Sequence, residues 1–150
     1  MRKCEETRDK TLVRDFLRIL IDTMYIIDLL SDPNFKDITT KMDEGLLQGM
    51  VSVVTITELV KILGKRDEKR MRSMLSRLHS SNLSIIEVSW QIAQKAGEIR
   101  LKHGIPTIDS IICATGILNG AKHILTRDKD FNTVKNLIKP INEKQLRRIF

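Results

Sequence analysis

The chain of 150 residues is poor in aromatic side chains: four phenylalanines, one tyrosine and one tryptophan make up 4% of it. Proteins that hold single-stranded nucleic acid by stacking bases on rings carry more, so few stacking platforms are available here. Cysteine is equally scarce. Cys4 lies in a polar stretch and Cys113 in the apolar run Ile111-Ile112-Cys113-Ala114. Such a pair makes a poor disulfide, which points to a reducing compartment without a disulfide framework. No apolar run approaches the ~18 residues of a membrane span. The opening MRKCEETRDKT has charges where a secretory leader needs its apolar segment. The expectation is a cytoplasmic protein with no membrane attachment. His79, His103 and His123 lack the spacing of zinc ligands. No Pro/Gly-rich linker, repeat or low-complexity segment divides the chain.

What is present is a core and an excess of positive charge. Hydrophobic residues make up 41%, enough to bury one domain. Lys and Arg number 26 against 19 Asp and Glu, a net charge of +7. That balance attracts polyanions without requiring that one be bound.

Short apolar runs alternate with amphipathic stretches. Residues 1–17 form a charged N-terminal extension with a short amphipathic helix, and 18–150 form one domain. Strands are expected over 18–22, 51–54, 84–88, 121–126 and, weakly, 138–142. Helices are expected over 23–30, 36–49, from Thr55 to Gly64, and over 66–79, where Met71, Met74, Leu75 and Leu78 form a stripe. Two more run from a Ser89 cap to Gly104 and from a Thr107 cap to Gly120. A helical turn is expected at 133–137 and a basic tail at the C-terminus. Trp90 and Phe131 read as core or loop anchors. Strands alternating with helices imply an α/β domain with a central parallel sheet.

Open parallel sheets bind ligands beyond the C-terminal ends of their strands. Asp22 ends the first strand and Asp128 follows the fourth. Glu58 lies in the first turn after the second strand, and Asp109 in the first turn of its helix. Each has an ordinary explanation. Asp22 can cap a helix, and Thr55-Ile-Thr-Glu58 fits a capping box. Asp109 suits a helix dipole, and Asp128 and Asp130 sit in a polar loop. If the first, second and fourth strands are neighbours, Asp22, Glu58 and Asp128 meet at one edge of the sheet, and Asp109 can join them from the helix before the fourth strand. Crowded carboxylates raise one another's pKa, and a hard cation such as Mg²⁺ relieves the conflict. Metal and carboxylates together can activate water against a phosphodiester.

Four segments carry a resemblance: Ile19-Leu-Ile-Asp-Thr-Met-Tyr-Ile-Ile-Asp28, Val54-Thr-Ile-Thr-Glu-Leu59, Ile105-Pro-Thr-Ile-Asp-Ser-Ile-Ile-Cys-Ala-Thr115 and His123-Ile-Leu-Thr-Arg-Asp-Lys-Asp-Phe131. In this order the chain resembles the PIN-domain family, specifically the VapC type, the toxin half of a toxin–antitoxin pair. The resemblance implies a three-layer α/β/α fold with strand order 3-2-1-4-5. It implies a Mg²⁺- or Mn²⁺-dependent endonuclease for single-stranded RNA, leaving 5′-phosphate and 3′-hydroxyl ends. Carried over by position, the acids are Asp22, Glu58, Asp109 and Asp128. Thr23 and Thr126 are supporting hydroxyls, and Asp130 is an outer acid or a surface residue. A homodimer and a cognate antitoxin are implied as well. The family often has a polar residue where Met24 stands, and its first strand usually opens the chain.

Lys61, Lys65, Arg66, Lys69, Arg70, Arg72 and Arg77 crowd the stretch after Glu58. A solvated helix face explains the 66–77 run. Lys61 and Arg127, close in sequence to the acids, are the candidates for RNA contact. Alternatives are a housekeeping RNA-processing nuclease or a non-catalytic scaffold of the same fold that binds RNA or protein. A phosphoacceptor domain needs an Asp after the third strand, and Ile85-Ile-Glu-Val-Ser89 has none.

Overall fold

A computed structural model describes residues 17–150. Five parallel strands form one sheet: β1 (Leu17–Ile21), β2 (Leu47–Ser52), β3 (Ser84–Ile86), β4 (His123–Leu125) and β5 (Lys139–Ile141). Their order is β3-β2-β1-β4-β5, as expected. Among the described residues seven helices accompany them: α1 (Thr23–Ser31), α2 (Lys36–Asp43), α3 (Val54–Gly64), α4 (Glu68–Ser80), α5 (Trp90–His103), α6 (Thr107–Leu118) and α7 (Glu143–Ile149). 3-10 turns run over Pro33–Phe35 and Lys129–Val134.

The two-residue alternation of a strand explains the layers. Ile19 and Ile21 join one buried cluster with Tyr25, Leu59, Leu78 and Leu146. Leu20, between them, joins a second cluster with Ile99, Ile112 and Phe131. Helices α1 to α4 and α7 therefore cover one face of the sheet, and α5 and α6 the other. A sheet covered on both faces must carry apolar residues in both directions, which is why its strands read as continuous apolar runs.

Several boundaries differ from the sequence reading. The helix expected over 36–49 stops at Asp43, and β2 begins at Leu47, four residues before the strand expected at 51–54. Gly45 causes the break: its φ of 74° is left-handed and ends the helix. The expected basic tail is instead α7. It starts with a reciprocal capping box between Asn142 and Gln145, and it buries Leu146 completely. Thr107 is the first residue of α6 rather than its cap. Trp90 is no core anchor, being 81% exposed, whereas Phe131 is fully buried. Ser89 caps α5 through Ile92 N at 3.2 Å, and Gly104 ends it at φ 68°. The short helix expected within 1–17 and the placement of Cys4 lie outside the described residues. Leu17 itself begins β1.

Candidate active site

The chain leaves β1 at Asp22, where the Asp22 carboxylate does two jobs. Its Oδ1 accepts from Thr23 N at 2.9 Å and so caps α1. Its Oδ2 accepts from the Thr126 hydroxyl at 2.7 Å. Thr126 follows β4 directly and its Oγ1 accepts in turn from Asp128 N at 3.0 Å. The exits of the neighbouring strands β1 and β4 are thereby tied through one buried hydroxyl. Capping, the ordinary explanation of Asp22, is present alongside its place in the cluster.

Glu58 is not in a capping box. Helix α3 is capped at Val53 with no side-chain bond, and Thr55 Oγ1 is buried without a partner among the described residues. Glu58 Oε2 instead accepts from the buried Thr23 hydroxyl at 2.9 Å. Thr23 and Thr126 are therefore the two hydroxyls that orient carboxylates from neighbouring elements.

Asp109 enters from the first turn of α6. Asp128 caps the following 3-10 turn, its Oδ1 accepting from Asp130 N at 2.9 Å. One carboxylate oxygen from each of Asp109, Asp128 and Asp130 lies within 4.8 Å of the others. This brings Asp130, a supporting residue in the sequence reading, into the tightest group of acids. Asp22, Glu58, Asp109 and Asp128 line one cleft of about 280 Å³ together with Thr23 and Arg127.

The electrostatics match that crowding. Asp109 has its pKa pushed up to about 7, first by burial and then by the charges of Asp128, Asp22, Asp130 and Glu58. Asp22 is raised too, mainly by burial, against the hydrogen bonds from Thr126 and Thr23 that favour its charged form. Among the described residues, no Lys or Arg forms an ion pair with any of the five acids. An all-oxygen, acid-rich group without a cationic partner fits a hard divalent cation, and it does not suit a softer metal that prefers nitrogen or sulfur.

Of the two candidate RNA contacts, Arg127 lines the cleft and Lys61 projects exposed from α3 outside it. Arg127 pairs with Asp28 at 2.7 Å and stacks over the Tyr25 ring at 4.0 Å. Sequence reasoning missed Tyr25, Asp28 and Glu143 as neighbours of the site. The capping box at Asn142 was the signal for α7 and hence for Glu143. In the basic run, Arg72 pairs with Glu68 at 2.6 Å and Arg77 donates to Leu30 O at 3.2 Å, so part of that run serves the fold.

The PIN domain family model matches residues 19–137, and the chain belongs to that family. No curated protein matches it in sequence. Among solved structures, it is similar to a chain of VapBC2 from Rickettsia felis bound to a promoter DNA fragment, with 20% identity, TM-score 0.67, and 83% and 98% of the two chains covered. It is similar to a chain of a toxin–antitoxin complex from Klebsiella pneumoniae, with 27% identity, TM-score 0.58, and 83% and 96% covered. Mycobacterium tuberculosis VapC20, a toxin that cleaves the sarcin–ricin loop, shares 16% identity at TM-score 0.61, with 81% and 97% covered. The fold is thus that of VapC-type PIN domains.

Proposed function

We propose that the chain is a divalent-metal-dependent endoribonuclease that cuts single-stranded RNA, acting as the toxin of a toxin–antitoxin pair. The observation that carries this reading is the convergence of four acids from separate elements on one cleft, where burial first and the neighbouring charges second push Asp109 up to about 7. Asp22, Glu58, Asp109 and Asp128, with Asp130 beside them, would hold Mg²⁺ or Mn²⁺. When bound, the ion supplies Lewis-acid chemistry: it activates water for attack and offsets charge on the scissile phosphate. Thr126 and Thr23 fix the directions of the Asp22 and Glu58 carboxylates, as outer hydrogen bonds do at metal sites. Arg127 and Lys61 take flanking phosphates, so affinity rests on charge and falls with salt.

The toxin role is supported by likeness to the Klebsiella pneumoniae toxin–antitoxin complex and to VapC20. It carries with it a cognate antitoxin, a homodimer and a cytoplasmic setting. No described helix is long and apolar enough to cross a membrane.

The test is cleavage of single-stranded RNA by the purified chain, freed of any antitoxin, with Mn²⁺ or Mg²⁺ added. The expected result is cleavage that EDTA stops and that Asp22→Asn abolishes without unfolding the protein. Cleavage by Asp22→Asn at the wild-type rate would place the chemistry elsewhere. No cleavage of any RNA by the wild-type chain favours a binding scaffold.

A further inference from the structure

Arg127 is held more firmly than an exposed arginine beside an acidic cleft requires. Its guanidinium carbon stands 4.0 Å from the centre of the Tyr25 ring, and its Nη2 meets Asp28 Oδ2 at 2.7 Å. Tyr25 and Asp28 are three residues apart on α1, so ring and carboxylate share one face of that helix. Stacking occupies the flat face of the guanidinium and leaves most of its N–H edge free. Half of the Arg127 side chain stays exposed, and it lines the cleft that holds the acids.

Tyr25 is itself fixed from the opposite end of the chain. Its ring is buried and meets Phe35 edge-on at 6.1 Å. Its hydroxyl donates to Glu143 Oε2 and accepts from Glu143 N at 3.3 Å. Burial and the bond to Glu143 push the phenol up to about 12, so it stays a neutral donor. Glu143 opens α7, which Leu146 anchors in the core and Arg147 ties to Asp37 at 2.8 Å. A line of contacts therefore runs from the C-terminal helix through Glu143 and Tyr25 to Arg127.

We propose that Tyr25 and Glu143 are positioning residues that hold Arg127 at the rim of the cleft as a preset clamp for an RNA phosphate next to the one facing the acids. The nature of the ligand rests on the nuclease reading above. A planar donor already fixed in direction suits a phosphate, and it loses less freedom on binding than a mobile lysine would. The other occupant of Arg127, Asp28, competes with the phosphate and keeps the arm in place when RNA is absent.

The test uses the full chain carrying Asp109→Asn, with Mg²⁺ present, and follows affinity for a fluorescent single-stranded RNA oligomer as KCl is raised. Adding Arg127→Gln is expected to weaken binding about tenfold. It should also lower the slope of log affinity against log salt by about 0.7, the loss of one phosphate contact on a single strand. Glu143→Ala should reproduce much of that change, and Glu143→Gln, which restores an acceptor for the phenol, should recover it. Tyr25→Leu should act alone but add less than twofold once Arg127→Gln is present. Tyr25→Leu perturbs the core, so the surface pair Glu143→Ala and Glu143→Gln carries the test where that variant fails to fold. In the wild-type background these changes should raise KM and leave kcat within about twofold.

An unchanged salt slope in Arg127→Gln overturns the clamp. Independent, additive effects of Glu143→Ala and Arg127→Gln overturn the positioning role and leave Arg127–Asp28 as a structural pair. Expected slopes with no cleavage by the wild-type chain support the clamp and refute the nuclease reading. Cleavage with unchanged slopes does the reverse.

Discussion

The Thr126 hydroxyl donates to Asp22 Oδ2 at 2.7 Å, joining residues 104 positions apart in the chain. The same oxygen accepts from Asp128 N at 3.0 Å. One buried hydroxyl thus sets the direction of one candidate ligand and the backbone of another. The first prediction concerns this hydroxyl. Thr126→Val keeps the shape and removes both bonds, leaving Asp128 N short of an acceptor. Thermal unfolding should show a loss of about 1–3 kcal/mol. Metal affinity, measured by calorimetry, should fall by about 10- to 100-fold, the usual effect of losing an outer hydrogen bond at a metal site. Unchanged metal affinity would mean that Thr126 serves only the fold.

A second prediction follows from the protonation of Asp109. Its carboxyl is pushed up from 3.8 to about 7, by burial first and then by the surrounding acids. A group raised in the folded state contributes stability below its unfolded pKa and loses that contribution as pH climbs through its folded pKa. In EDTA, Asp109→Asn should therefore gain in Tm over the wild type between about pH 4 and pH 7, and stay ahead above that. Saturating Mg²⁺ should shrink or reverse the gap, because the wild type alone then holds the ion with full charge. Calorimetric melts of both proteins across this pH range make the check. Parallel Tm curves in EDTA would show that Asp109 is not crowded.

The acids were legible in the sequence only as a set, one at each strand exit or helix start, since each alone had an ordinary explanation. Their convergence depended on strand order, which the resemblance to the PIN-domain family implied and the sheet bears out. Glu58 shows the limit of such reading. Its capping-box pattern is a local rule, and a tertiary bond from Thr23 overrides it. Gly45 shows another. A left-handed glycine ended α2, while the apolar run after it suited helix and strand equally. The Arg127–Tyr25–Glu143 line was not legible at all, since 118 residues separate Tyr25 from Glu143 and no periodicity links them. Asp130 stayed open between an outer acid and a surface residue because nothing in a polar loop tells which way a side chain turns.

A third prediction tests the start of α7. Asn142 accepts from Gln145 N at 2.9 Å, and Gln145 Oε1 accepts from Asn142 N at 2.9 Å. Asn142→Ala removes the first bond and should cost about 0.5–2 kcal/mol in denaturant unfolding, the range for loss of a cap. An unaltered unfolding midpoint would mean that the buried Leu146 alone holds the helix in place.

A fourth prediction concerns the packing of α6 on the sheet. Gly116 on α6 faces β1 so closely that an added Cβ would lie 2.8 Å from Ile138 Cδ1 and 3.0 Å from Leu20 Cδ2. Gly116→Ala, harmless to helix propensity, should still destabilise the fold by about 1–3 kcal/mol through overpacking. Equilibrium urea unfolding checks it. A stabilised variant would mean that α6 can move away from the sheet, and with it Asp109.

The most direct measurement of the central claim is Mn²⁺ binding, followed by electron paramagnetic resonance of the free ion, to the wild-type chain and to folded Asp22→Asn and Asp109→Asn. If the five acids converge to hold a divalent cation, the wild type binds Mn²⁺ saturably and each variant binds it at least about tenfold more weakly, a loss of about 1.4 kcal/mol or more. Equal Mn²⁺ affinity in all three proteins would contradict the account.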